Sequence, residues 1–148
     1  MIRKLSNEAK RFTELARRSL KQSRAIRLLG FEAEAVEVGH AILRMDARLR
    51  HTQLNGVVHG GILAALADTA GGMAAYTTVA RGTALATIEL KINYLEAVPG
   101  GRIRADARVL RAGRNFIVCE CEVFDARGAL AAKALLTFGA AGGHSLRK

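Results

Sequence analysis

Four residues in the stretch from Gln53 to Thr78 carry groups that could act on a substrate. Gly60 and Gly61 follow His59, and a single acid, Asp68, interrupts the small and apolar residues that come next. Backbone N–H groups at a helix start can hold an anion or polarise a carbonyl oxygen, and glycine leaves them accessible. The pattern therefore indicates either a site that acts on a carbonyl or a helix start that needs glycine for its geometry or close packing.

Asp68 is a carboxylate in an apolar setting, where desolvation is costly unless the acid is paired or used. It follows Gly60 by eight residues, so the two lie about 12 Å apart along one helix and cannot act on the same atom within one subunit. A second helix running antiparallel would bring its Asp68 to the first chain's Gly60, which predicts a two-fold dimer with two interfacial sites. The alternative is a structural acid bonded to the backbone or to the Thr69 hydroxyl.

The remaining nucleophiles and ligands form no recognisable set. No Ser or Cys is spaced to be activated by His59, so a structural role for this histidine, in which it fixes the loop by hydrogen bonds, is preferred over a general base. Cys119 and Cys121 share a strand face and are expected to be small core residues. Three histidines show no metal-ligand spacing: His40, His51 and His144.

Three arginines, Arg102, Arg104 and Arg108, share one strand face by parity, and Arg111 and Arg114 lie near the following hairpin. Two interpretations stay open. The arginines form either a solvated outer sheet face or a rim that binds phosphate groups.

Composition limits the class of protein. With 148 residues, 50% of them hydrophobic, and one proline, the chain is expected to form one globular domain. The net charge of +10 favours anionic partners, whereas 5% aromatic residues are few for a protein that stacks bases. An N-terminus without an apolar segment predicts no secretory signal, and two cysteines fit a reducing, cytoplasmic location. A membrane span over residues 56–80 is disfavoured, since a central Asp68 would cost about 2.5–3.5 kcal/mol.

The elements that must position these groups follow from hydrophobic periodicity. Residues 6–29 predict a helix capped by Ser6 or Asn7, with a second short helix that starts at Ser23 and ends at Gly30. From Phe31 the period changes to two, with a phase slip that predicts a β-bulge near Ala35-Val36. Gly60 begins the long central helix. Further strands are predicted over residues 41–49, 83–95, 102–112, 115–126 and 129–140. This order predicts an α+β protein, an antiparallel sheet curled around one helix.

The block GVVHGGILAALADT over residues 56–69, followed by TIELKINY over residues 87–94, resembles the hot-dog fold acyl-CoA thioesterases of the phenylacetate-pathway (PaaI) type. The resemblance covers residues 31–140. It implies an antiparallel β-sheet wrapped around one long central α-helix, paired into a homodimer and expected to form a homotetramer. Residues 1–30 would then be an N-terminal helical extension, residues 31–140 the thioesterase domain, and residues 141–148 a C-terminal tail.

The resemblance also implies roles for individual residues. The Gly60 N–H would polarise the thioester carbonyl, and Asp68 of the facing subunit would be the general base or nucleophile. Gln53 matches a position often held by Asn, and Thr87 aligns with a hydroxyl residue that helps to position water. The predicted substrate-binding residues are His59, Gly61 and Asn55. No metal or redox cofactor is expected, because coenzyme A is part of the substrate.

The predicted function is therefore hydrolysis of an acyl- or aryl-CoA thioester in the cytoplasm, without nucleic acid or membrane as partner. A non-catalytic acyl-CoA sensor on the same fold is the alternative, since basic N-terminal helices could contact DNA. Residues 1–30 are short for a complete helix-turn-helix domain, however, and the presence of Asp68 fits catalysis better. A hydratase is a weaker third interpretation, because the Asp/His dyad expected of hot-dog hydratases is not apparent.

Overall fold

A computed structural model describes residues 6–141. Helix α1 (Asn7–Gln22) is capped by Ser6, whose hydroxyl accepts a hydrogen bond from the Ala9 N–H. Helix α2 (Arg24–Leu29) is capped by Ser23 at its start and by Gly30 at its end. Gly30 has φ 74°, a left-handed conformation that glycine adopts without steric cost. The predicted N-terminal helices and their caps are thus confirmed. His144 and all but the first residue of the predicted tail lie outside the described residues.

The central helix α3 and six strands complete the fold. Helix α3 spans Gly60–Tyr76, so the prediction that Gly60 begins it is confirmed. The strands are β1 (Glu32–Glu37), β2 (His40–Ala47), β3 (Ala84–Tyr94), β4 (Gly101–Ala112), β5 (Phe116–Phe124) and β6 (Leu130–Ala141). They form one sheet in the order β1-β2-β4-β5-β6-β3, and every pairing is antiparallel. The predicted α+β hot-dog fold is confirmed.

The concave face of the sheet encloses α3. The helix packs mainly against β2, β4 and β5, and one side of it is completely buried. Small residues make this close approach possible: a Cβ atom at Gly71 would lie 3.2 Å from the Phe138 ring and 3.3 Å from Leu136. The sheet therefore wraps tightly around a helix that contributes little side-chain volume of its own.

The two edges of the sheet differ in whether another element covers them. Helix α1 lies along β1, where the Val36 N–H donates to the Thr13 hydroxyl (2.9 Å) and Arg17 Nε donates to the Ala33 carbonyl (3.1 Å). These bonds satisfy backbone groups that an open edge would leave unpaired. The predicted bulge is present, but the register shift falls slightly earlier than expected, between Ala33 and Ala35.

Strand β3 forms the other edge, and nothing within the described part of the chain covers it. Its residue types alternate, yet most of its side chains are exposed, including Ile88 at 61%. A second bulge interrupts the pairing with β6 between Thr87 and Glu89. Among the described residues, no helix has both the length and the apolar character needed to cross a membrane.

Candidate active site

The first half of the candidate site joins α3 to the exposed edge strand. The Thr87 hydroxyl of β3 donates a 2.8 Å hydrogen bond to Asp68 Oδ1 on α3. Both residues line a pocket of about 180 Å³ whose wall includes Met73 and Tyr76. The Thr69 hydroxyl donates instead to the Ala65 carbonyl (2.7 Å). The hydroxyl partner of Asp68 is therefore Thr87, which the resemblance singled out, and not Thr69.

The second half lies at the start of α3. His59 caps the helix, with its Nδ1 atom accepting from the Gly61 N–H at 2.9 Å, which agrees with a structural role for this histidine. The Gly61 N–H is thus occupied in the single chain. Within the described residues, the Gly60 N–H donates to no other protein group. It is the donor left open for a ligand.

Tyr94 explains why residue 60 is glycine. Its hydroxyl donates to the Gly60 carbonyl (2.8 Å), and a Cβ atom at Gly60 would lie 3.0 Å from the Tyr94 ring. Close packing and an open N–H group are therefore both properties of this position. Tyr94 is the last residue of the sequence block on which the family resemblance rests. Its contact with Gly60 could not be predicted from local spacing, because the two residues are far apart in the chain.

The loop before α3 folds back on itself and places Gln53 beside Val57, three residues before the helix start. The Gln53 N–H donates to the Val57 carbonyl (2.8 Å), and the Gln53 Oε1 atom accepts from the Asn55 N–H (3.1 Å). The His59 N–H donates to the His51 carbonyl (2.9 Å), which closes the loop at its base. Asn55 is exposed at the tip of this loop.

His51 is a structural residue of this loop, a role that its spacing in the sequence did not indicate. Its side chain is buried, and its Nδ1 atom accepts from the Arg48 N–H at 2.9 Å. Burial, assisted by the charges of Arg50 and Arg48, lowers the pKa of the imidazole. A neutral ring that accepts at Nδ1 carries its proton at Nε2, and this nitrogen has no partner among the described residues.

The two halves do not meet within one chain. Gly60 and Asp68 stand eight residues apart on the same helix, which corresponds to about 12 Å at 1.5 Å per residue. The structure thus brings Asp68 to Thr87 and Gln53 to Val57 in the loop before α3, and it leaves Gly60 and Asp68 at separate positions along the helix.

Three arginines of β4 are paired with acids on the outer face of the sheet. Arg102 contacts Asp46 at 2.9 Å, Arg104 contacts Glu34 at 3.0 Å, and Arg108 contacts Asp106 at 3.5 Å. These ion pairs favour the interpretation of a solvated outer face over a phosphate-binding rim.

The two cysteines are core residues, as predicted. Both lie buried on the inner face of β5, and the Cys119 thiol donates to the Gly71 carbonyl at 3.7 Å. Burial raises the pKa of Cys119 to about 11 and that of Cys121 to about 12, so both stay protonated and unreactive at neutral pH. Across residues 6–141, no group of three or more acids, histidines or cysteines is arranged to hold a metal ion.

The family follows from comparison with known proteins. The profile of the Thioesterase superfamily matches residues 55–132, more than half of the chain, and this range contains both Gly60 and Asp68. The chain belongs to this superfamily.

Three similar proteins indicate the class of enzyme within this superfamily. The chain is 33% identical over 100 residues to the proofreading thioesterase EntH of Klebsiella pneumoniae, covering 68% of this chain and 73% of EntH. It is 28% identical over 107 residues to the 1,4-dihydroxy-2-naphthoyl-CoA hydrolase of Escherichia coli, covering 72% and 77%. The solved structure of the phenylacetic acid degradation protein PaaI of Thermus thermophilus superposes with a TM-score of 0.72 and 28% identity, covering 79% and 98%. The chain is a thioester hydrolase with the hot-dog fold, as predicted.

Proposed function

We propose that the protein hydrolyses an acyl- or aryl-CoA thioester to the free acid and coenzyme A, at a site shared by two copies of the chain. The observation that carries this proposal is the Asp68 carboxylate held by Thr87 in a small pocket on α3. The names of two relatives, a thioesterase and an aryl-CoA hydrolase, support the substrate class.

The chemistry needs one electrophile activator and one base or nucleophile. The open Gly60 N–H would donate to the thioester oxygen as negative charge develops there, which is worth about 2.7–4 kcal/mol for one such donor. Asp68 would accept a proton from an attacking water, or attack the carbonyl carbon itself. The new C–O bond forms first, and collapse of the oxyanion then breaks the C–S bond, so that the coenzyme A thiolate leaves and takes up a proton. Where Asp68 itself attacks, water then cleaves the mixed anhydride, which releases the free acid and restores the carboxylate. Thr87 would fix the orientation of the carboxylate.

Two copies are required because the activator and the carboxylate are about 12 Å apart in one chain. An antiparallel copy of α3 would place the partner's Asp68 opposite the first chain's Gly60, and the symmetry would generate two equal sites. The exposed β3 edge, which carries Thr87, lies beside this arrangement and is available to a second copy. Assembly of such dimers into a tetramer, a cytoplasmic location and independence from metal or redox cofactors, nucleic acid and membranes belong to the same proposal.

The test is release of free thiol from a panel of CoA esters, from acetyl to lauroyl, with phenylacetyl and benzoyl. Wild type is expected to hydrolyse at least one of them, and Asp68→Asn is expected to lower kcat by about 10²–10⁴-fold, the usual contribution of a positioned base. Asp46→Asn is the matched control, because Asp46 is an exposed acid on the outer sheet face. Near-normal turnover by Asp68→Asn contradicts the mechanism.

The acyl-CoA sensor remains the second candidate, on the observation that the exposed side of α1 is basic. Four residues of α1 are nevertheless buried against the body, which makes the helix part of the domain rather than a separate DNA-binding unit: Ala9, Thr13, Ala16 and Leu20. Binding of CoA esters without turnover, together with salt-dependent binding of duplex DNA, would favour the sensor.

A further inference from the structure

A second and larger concavity lies between α1 and the end of α3. It has a volume of about 610 Å³, and its walls are α1, the last turn of α3 and the connection that follows. Apolar side chains dominate its lining, with Phe12 and Leu15 on one wall and Met73 and Val79 on the other. We call it the α1 groove.

The α1 groove is adjacent to the Asp68 pocket. Met73 and Tyr76 line both concavities, and they are three residues apart on α3, the spacing of neighbours on one face of a helix. From Asp68 to Tyr76 the axial distance is about 12 Å at 1.5 Å per residue. Met73 is a flexible side chain that can move aside for an apolar ligand.

The volumes of the two concavities indicate that they have different roles. At about 180 Å³, the Asp68 pocket is smaller than the roughly 300–1,000 Å³ of sites that enclose a small molecule, whereas the α1 groove falls within that range. The charged lining residues, Glu8, Arg11 and Arg81, are all exposed. The interior of the groove is therefore suited to a hydrocarbon chain, with charge kept at the solvent side.

We infer that the α1 groove binds the distal part of a medium- or long-chain acyl group whose thioester lies at Asp68. This inference rests on the proposed function and makes the N-terminal helix a determinant of chain-length specificity. An acetyl group would end near Asp68, whereas a lauroyl group is long enough to pass Met73 and Tyr76 and enter the groove.

Two variants of α1 and one control test this inference. Ser19→Trp fills the groove from an exposed helix position, and Leu15→Glu places a charge on its apolar wall. Arg18→Trp is the control, because it places the same tryptophan side chain on the same helix at an exposed position that does not line the groove. Circular dichroism and thermal melting establish that the variants remain folded.

The readout is the ratio of kcat/KM for lauroyl-CoA to kcat/KM for acetyl-CoA. We expect this ratio to fall by about tenfold or more in Ser19→Trp and Leu15→Glu, since each methylene lost from an apolar pocket changes kcat/KM by about that factor. The control should keep the wild-type ratio. Equal ratios in wild type, both groove variants and the control would overturn the inference.

A binding measurement separates this inference from the proposed function. If wild type releases no thiol from any ester, the proposed function fails, and calorimetric binding of lauroyl-CoA then decides the role of the groove. Weaker binding of lauroyl-CoA by Ser19→Trp than by Arg18→Trp supports the groove as an acyl site. Equal affinities in the two variants overturn it.

Discussion

At the residue scale, the contact between Asp68 and Thr87 ties the carboxylate to one orientation. A carboxylate on a helix surface can rotate, and a 2.8 Å bond from a hydroxyl limits that rotation. The hydroxyl comes from an edge strand that is bulged immediately after Thr87, which is the type of irregularity that redirects a side chain. Asp68 is thus oriented by a neighbouring element rather than by its own helix.

Thr87→Val removes this donor while keeping the shape of the side chain. We expect kcat for the best CoA ester to fall roughly ten- to hundredfold with little change in KM, because a hydrogen bond to a charged group is worth about 1.5–3 kcal/mol. Thr87→Ser retains a hydroxyl and should keep most of the rate. Steady-state kinetics of the two variants make the comparison, and an unchanged kcat in the valine variant would show that the bond does not orient the base.

At the element scale, the packing of α3 depends on how closely the sheet can approach the helix. Gly71 and Gly72 are adjacent, yet a Cβ atom at Gly71 would lie 3.2 Å from the Phe138 ring, whereas one at Gly72 would lie 3.6 Å away, an ordinary contact. Phe138 is buried, with 3% of its surface exposed, and cannot easily move. The two positions therefore form a natural pair for measuring the cost of close packing.

Gly71→Ala and Gly72→Ala gain the same helix propensity, so the difference between them isolates the steric term. We expect Gly71→Ala to be less stable than Gly72→Ala by about 1–3 kcal/mol, the usual cost of overpacking. Urea denaturation at constant protein concentration gives both free energies of unfolding. Equal stabilities would mean that β6 moves away from α3 without cost.

A second element-scale feature joins the β1–β2 hairpin to β4. His40 Nε2 contacts Asp106 at 2.8 Å, and His40 Nδ1 contacts Glu37 at 3.1 Å. The hydrogen bond with Asp106, supported by Glu37 and opposed by partial burial, raises the pKa of His40. When protonated, the imidazole therefore bridges the acids of two strands.

Because its folded-state pKa is raised, His40 contributes stability that is fully present below its unfolded pKa and is lost as the pH rises through the folded value. We expect the difference in unfolding free energy between wild type and His40→Gln to be larger at about pH 5.5 than at about pH 8.5. Urea titrations at the two pH values measure it. A difference that does not depend on pH would show that the pair is not charge-assisted.

At the scale of the whole molecule, the proposed mechanism assigns to each chain one half of two sites. The Gly60 N–H and the Asp68 carboxylate are about 12 Å apart on one helix, and within residues 6–141 the outer edge of β3, beside Asp68 and Thr87, is unpaired. A dimer in which antiparallel α3 helices face each other would complete both sites at once. A single chain would then be inactive even when fully folded.

Complementation between two inactive variants tests this arrangement. Asp68→Asn removes the carboxylate, and Gly60→Val is expected to obstruct the N–H group with a side chain that has little room beside Tyr94. When the two are co-expressed in equal amounts, about half of the dimers are mixed and each has one intact site, so about a quarter of wild-type activity should return. Recovery also shows that both variants fold. If purified mixed dimers are inactive, the shared site is contradicted. Gly60 and Asp68 would then act within one chain or would not belong to a common site.

Local patterns in the sequence were sufficient for most of the elements. The start of α3 at Gly60, the caps at Ser6 and Ser23 and the six strands were predicted because helix periodicity, capping residues and strand alternation are properties of neighbouring residues. The bulge in β1 was expected from a phase slip, although it lies closer to Ala33 than predicted. The roles of Gly60 and Asp68 remain predictions based on these patterns and on the family resemblance.

Only the tertiary structure decided which distant groups meet. Thr87 reaches Asp68, and Tyr94 covers Gly60, because β3 pairs with β6 at the edge of a sheet that wraps α3. The sequence determined which residues could do chemistry, since that depends on type and local spacing. Which of them lie in contact depends on strand order, on the bulge after Thr87 and on the packing of α1 against β1, all of which arise from contacts between residues far apart in the chain.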